Sequence, residues 1–182
     1  MIYQRFSNNS DGLWRQKKMK TAIIYYSMSG NTDYTAKAVA EGLDADLIEI
    51  KPEKAYPDKG FKKFFWGGKS AVMAETPKLM PYSFDPDQYN LIVFGFPVWA
   101  GKMAPPIRSF VMEQKEAIWG KQIAAFACQS GSGGERALQR LLELLDCPGY
   151  VASMILIDPK VKPKEENNLK IAEFREKLRG EG

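Results

Sequence analysis

Thr21-Ala22-Ile23-Ile24-Tyr25-Tyr26-Ser27-Met28-Ser29-Gly30-Asn31-Thr32 is the stretch on which the fold turns. Its first six residues are uncharged and mostly β-branched or aromatic, a composition suited to a strand buried on both faces. A loop of hydroxyl-bearing residues and one glycine follows. Asn31 to Leu43 then has helical spacing, with Tyr34, Ala38 and Val39 on the inward side and the Gly42 region as its end. Strand, tight loop and helix in that order make the first half of a βαβ unit.

The same alternation continues along the chain. Asp46–Ile50 reads as a second strand and Pro52–Gly60 as a loop. Phe61–Met73 has the spacing of a helix, weakened at Gly67-Gly68. Leu91–Phe96 is a third buried strand, and the Pro-Pro start of Pro105–Gln114 suits the first turn of a helix. Gln122–Cys128 is a fourth strand, Glu135–Leu145 an amphipathic helix and Val151–Ile157 a fifth strand. Lys164–Arg179 predicts a closing helix with Leu169, Ile171, Phe174 and Leu178 on its apolar face. Five short strands separated by helices predict an α/β fold with a parallel doubly wound sheet. Right-handed crossovers would place helices on both faces. Ligands of such sheets bind beyond the carboxyl ends of the strands. That directs attention to the loops after Tyr26, Phe96 and Cys128.

Bulk composition narrows the chemistry. The chain has 182 residues, the length of one domain, and 45% of them are hydrophobic, enough for a core. Residues 19–182 read as a single domain. Residues 1–18 read as a leader or disordered extension; the competing reading packs Ile2, Tyr3, Phe6, Leu13 and Trp14 on the domain or a partner. No histidine is present, which removes imidazole bases and histidine metal sites. The two cysteines, Cys128 and Cys147, lack C-x-x-C spacing and predict no disulfide framework. Neither a signal peptide nor a membrane-spanning stretch is apparent, so the expected compartment is the cytoplasm. The net charge is +4. Four of the 26 basic residues and one of the 22 acidic ones precede residue 19, so the rest carries +1. That near-neutral balance gives no footprint for nucleic acid. The aromatic cluster Phe61, Phe64, Phe65 and Trp66, interleaved with Lys62, Lys63 and Lys69, reads instead as a helix face covering the sheet.

Three loops carry the chemistry. In Ser27-Met28-Ser29-Gly30-Asn31-Thr32, hydroxyls at 27, 29 and 32 can converge, Gly30 permits a tight path, and the helix start offers free N–H groups to a phosphate. The plain alternative is an ordinary Ser/Asn helix cap. Neither G-x-x-x-x-G-K-[ST] nor G-x-G-x-x-G is present. S-M-S-G-N-T resembles the T/S-x-T/S-G-x-T phosphate loop of the flavodoxin family. Phe94-Gly95-Phe96-Pro97-Val98-Trp99-Ala100-Gly101 resembles the family's G-x-P-V-W segment, which borders the flavin ring. The resemblance implies a flavodoxin-like three-layer α/β/α sandwich with a five-stranded parallel sheet in the order 2-1-3-4-5. It also implies flavin mononucleotide (FMN) as cofactor. The binding residues it points to are Ser27, Met28, Ser29, Gly30, Asn31 and Thr32 for the phosphate. Pro97, Val98, Trp99, Ala100 and Gly101 would border the ring.

The third loop, Cys128-Gln129-Ser130-Gly131-Ser132-Gly133, is glycine-rich and exposes backbone donors and acceptors suited to the polar edge of the ring. Cys128, Gln129, Ser130, Gly131 and Gly133 complete the expected set. This loop lacks the tyrosine that often covers the second ring face in flavodoxins; Tyr25, Tyr26, Trp66 and Tyr82 are alternative lids. Trp99 either contacts the ring or caps the core. Lys102 reads as a solvated lysine, with a ring-stabilising role as the alternative. Cys128 reads as a small buried thiol rather than a nucleophile.

The expected function is electron transfer through FMN, with a redox protein or small electron acceptor as partner, and neither nucleic acid nor membrane. The near-neutral charge departs from the acidic character of carrier flavodoxins and keeps open an NAD(P)H-dependent FMN reductase or quinone-type oxidoreductase. A receiver-type module is disfavoured by Ser27 and Pro97 where acidic residues would be needed. A scaffold without flavin is disfavoured by the intact loops.

Overall fold

The structure, a computed structural model, describes residues 20–56 and 75–180. The expected strands form at β1 (Thr21–Tyr25), β2 (Ala45–Glu49), β3 (Leu91–Trp99), β5 (Gln122–Gln129) and β6 (Ala152–Ile157). A two-residue β4 (Lys102–Met103) pairs antiparallel with the end of β3. The long strands are parallel in the order β2-β1-β3-β5-β6. Once the short β4 is set aside, this is the order 2-1-3-4-5.

Helices α1 (Asn31–Ala40), α2 (Pro105–Gln114), α3 (Gly134–Leu145) and α4 (Glu165–Arg179) follow the strands. Strand periodicity sends alternate residues to opposite faces. Ile92, Phe94 and Phe96 pack with Ile107 and Phe110 of α2 and Leu141 of α3. Leu91 and Val93 pack on the other side with Val39 of α1 and Ile171 and Phe174 of α4. Two cores therefore flank one sheet, giving three layers. On the second face Gly95 stands opposite Phe126 in the ladder. A Cβ on Gly95 would come 2.2 Å from Phe126 Cζ. The glycine thus makes room for a fully buried phenyl ring, which meets Phe174 edge-on.

Three expectations need correction. Tyr34 and Leu169 lie outward, 38% and 58% exposed. Val39 is inward as expected, joined by Thr35 and Ala36, small residues that let the helix approach the sheet. The inward residues of α4 are Asn167, Ile171 and Phe174. The third strand continues past Phe96 to Trp99 and turns through Ala100 (φ 50°) and Gly101 (φ 69°) into β4. Two consecutive left-handed residues are the signature of a tight type I′ hairpin, whose twist matches that of its strands. The leader expected over residues 1–18, the helix over Phe61–Met73 and the proposed lid Trp66 lie outside the described residues.

Candidate cofactor site

The carboxyl ends of β1, β3 and β5 open onto one rim. The first loop is built around Gly30, at φ 84°, a left-handed conformation that L side chains resist. Helix α1 starts directly after it without a side-chain cap. Its leading N–H groups are therefore open to an anionic ligand. Ser27 Oγ accepts a hydrogen bond from the Gly30 N–H at 3.2 Å. That bond orients the hydroxyl and leaves its own proton to donate. Ser27 and Met28 are half-buried and Ser29 is exposed. Thr32 is only 1% exposed and its side chain hydrogen-bonds the Cys128 thiol. The three hydroxyls thus do not share one open concavity: Ser27 and Ser29 border solvent, while Thr32 ties the helix start to β5.

The second and third loops touch through glycines. A Cβ on Gly133 (φ 101°) would come 2.8 Å from Gly101 Cα and 3.6 Å from Val98 Cγ1. Only a residue without a side chain allows this approach. Pro97 and Val98 are half-buried and Ala100 is exposed at the tip of the hairpin. Around Gly131 a Cβ would meet nothing within 4 Å, so this backbone is open to a ligand. Gln129 Oε1 accepts from the Gly134 N–H at 2.8 Å, which closes the loop and starts α3. Ser130 donates to Asp158 Oδ1 at 2.5 Å.

Trp99 is 9% exposed and sits in an aromatic trio. Its ring centroid lies 5.8 Å from Tyr26 and 5.1 Å from Tyr56, both edge-to-face. The trio welds the ends of β1 and β3 to the segment after β2. Tyr25 and Tyr26 are buried, and Tyr25 donates to Asp33 at 3.1 Å. Tyr82 donates to Glu113 at the end of α2. Cys128 is enclosed; its Sγ lies 3.6 Å from Thr35 Oγ1, and burial pushes the thiol up to about 11.

The wall contributed by the loop after β6 had no counterpart in the sequence reading. Asn31 Oδ1 accepts from the backbone N–H groups of Lys160 (3.0 Å) and Val161 (3.3 Å). Asp158, 5% exposed and at φ 45°, accepts from Ser130 and pairs with Lys162 at 3.1 Å. The one local signal was an Asp-Pro-Lys sequence straight after the last strand, at the same end of the sheet. Among the described residues no group of three or more potential metal ligands is present. No helix among them is long and apolar enough to cross a membrane.

These features define a doubly wound α/β protein with an uncapped helix start after its first loop and a three-loop rim. The sequence profile of the family described as Flavodoxin matches residues 20–166, and the chain belongs to that family. Solved structures with the same fold include a flavoprotein from Lactobacillus acidophilus NCFM in complex with FMN. That likeness has a TM-score of 0.67 and 22% identity, over 86% of this chain and 98% of that one. A flavodoxin from the domain Archaea gives 0.55 and 23%, over 88% and 99%. The flavodoxin of Streptococcus pneumoniae TIGR4 gives 0.55 and 16%, over 90% and 99%.

FMN is the cofactor of this family, and the chain's residues fit it. The uncapped start of α1, the left-handed Gly30 and the free Ser27 proton suit a phosphate. The unobstructed backbone at Gly131 suits a planar, polar-edged ring.

Proposed function

We propose that this chain binds FMN on the rim formed by the loops after β1, β3 and β5, and that it transfers electrons through it. The observation that carries the reading is the convergence of the three loops. Gly101 meets Gly133, Tyr26 meets Trp99, and Thr32 and Thr35 meet Cys128. When bound, the flavin supplies reversible one- and two-electron chemistry. The protein's part is to hold and surround it. Ser27, Ser29 and the first N–H groups of α1 take the phosphate. Pro97, Val98, Ala100 and Gly101 border the ring on one side, and the backbone of Gln129, Ser130, Gly131 and Gly133 faces its polar edge. Trp99 supports the hairpin from beneath through Tyr26 and Tyr56, a role distinct from direct stacking.

A second reading, an NAD(P)H-dependent reductase, is favoured by the surface beside the hairpin. A cleft of about 350 Å³ there is lined by Lys102, Arg108 and Arg140, together with Glu75, Glu143, Met103, Pro105 and Leu144. Arg108 Nε is buried there without a hydrogen-bond partner among the described residues. A cationic cleft suits an anionic donor better than a basic redox protein.

The test is a titration of the apoprotein with FMN, followed by addition of NADPH under anaerobic conditions. Saturable binding with a shifted flavin spectrum is expected. Slow bleaching by NADPH alone supports the carrier, whereas rapid bleaching supports the reductase. No binding at high FMN concentration overturns both.

A further inference from the structure

Among the described residues, the Lys160 side chain lies over the phosphate loop. Gly30 has no Cβ, and the Lys160 side chain passes over it: an ideal Cβ there would come 2.9 Å from Lys160 Nζ and 3.4 Å from its Cδ. The Lys160 backbone is fixed at that place because its N–H donates to Asn31 Oδ1. Its ammonium has no ion pair or hydrogen-bond partner among the described residues. It contributes to the field that lowers the Asp33 carboxyl, but Asp33 already takes its hydrogen bonds from Lys37 and Tyr25. The lysine therefore sits within reach of the open end of α1 with its own charge unspent.

We propose that Lys160 is a counter-ion for the phosphate of the bound cofactor, and so a positioning residue for FMN. This rests on the cofactor assignment above. The loop itself carries no cation between Ser27 and Thr32, and its donors are hydroxyls and backbone N–H groups. A phosphate dianion held by neutral donors alone keeps its full charge, and an adjacent ammonium strengthens the hold through a charge-assisted bond. Gly30 then serves twice, supplying the left-handed turn and the space through which Lys160 reaches it.

The contribution is specific to the phosphate, so riboflavin, which lacks it, is the internal control. Substitution changes only the side chain and leaves the backbone bond to Asn31 in place. Lys160→Gln is expected to weaken FMN binding about five-fold or more at low salt, with riboflavin affinity unchanged. Lys160→Arg restores most of the FMN affinity, and the salt dependence of FMN binding becomes shallower in Lys160→Gln than in wild type. The inference is overturned if Lys160→Gln binds FMN within two-fold of wild type, or if FMN and riboflavin weaken equally. If wild type binds riboflavin and FMN equally, no phosphate site exists at this loop, and both the inference and the assignment of the loop fall. If wild type binds neither, the cofactor assignment itself fails. A loss confined to the Lys160→Gln comparison leaves that assignment intact.

Discussion

At the scale of single residues, environment decides chemistry more than identity does. Cys128 ends the strand beside the rim, where a thiol could be imagined as a redox group. It is 4% exposed, and desolvation raises its ionisation to about 11, outweighing the hydrogen bonds from Thr35 and Thr32 that pull the other way. A thiolate is the reactive form, so this thiol is inert at neutral pH. Cys147 is half-buried, and its Sγ lies 3.2 Å from the Gly149 carbonyl oxygen, at the protein surface. In the folded protein at pH 8, iodoacetamide is expected to modify Cys147 and spare Cys128, with both labelled in denaturant. Peptide mapping by mass spectrometry separates the two sites. Labelling of Cys128 in the native state would show that β5 opens far more readily than its packing implies. Trp99 carries the same lesson. Its place in the sequence left it between contacting the ring and capping the core; Tyr26 and Tyr56 pack edge-on against it and it is largely buried.

At the scale of elements, what could be read from sequence was what local patterns encode. Pro105-Pro106 marked the first turn of α2, and the continuous apolar run in Leu91–Phe96 marked a buried strand. Glu135–Leu145 was read as an amphipathic helix, and Ala137, Leu138, Leu141 and Leu145 form its buried side. The hairpin after Trp99 was missed because Pro97 reads as the end of a strand. Here it sits in register with Cys128 at the last rung, where the lost donor costs little. The fourth wall of the rim was illegible for a different reason. Asn31 and Lys160 are 129 residues apart, and nothing local announces their contact. That contact supports a prediction. Asn31 is buried and its carbonyl oxygen serves two backbone N–H groups of the loop before α4. Asn31→Ala leaves both donors unpaired, which costs roughly 1–3 kcal/mol. The denaturant midpoint should fall with an unchanged slope, and exchange of the amide protons at Lys160 and Val161 should accelerate. An unchanged midpoint would mean that water replaces the side chain without loss.

At the scale of the whole molecule, the two apolar cores hold Tyr25, Tyr26, Tyr89 and the Cys128 thiol, with Tyr82 and Tyr150 packed against them, and this sets the alkaline limit of the fold. Burial raises Tyr25, Tyr26 and Tyr150, with the Asp33 carboxylate adding to the shift of Tyr25. Burial, with hydrogen bonds to Glu113 and Asp46 respectively, pushes Tyr82 and Tyr89 up to about 12. Cys128 moves in the same direction. A neutral acid whose pKa is raised in the folded state leaves stability untouched while both states hold the proton, and favours unfolding once the unfolded chain has lost it and the folded one has not. The stability is therefore complete below the unfolded values, about 8.5 for the thiol and 10 for the phenols, and declines as pH rises through the folded ones. Each group ionised only in the unfolded chain removes about 1.4 kcal/mol per pH unit. Six such groups acting together exhaust the roughly 5–15 kcal/mol of a typical domain within about one to two pH units above 10. The apoprotein is therefore expected to unfold cooperatively between about pH 10 and 12, releasing its buried phenols in one step. Absorbance at 295 nm, which reports tyrosinate, should rise together with the loss of helical circular dichroism. Gradual phenol titration with the helical signal intact past pH 12 would mean that the aromatic clusters around Tyr26 and Tyr89 are open to hydroxide in the folded state, contrary to their packing.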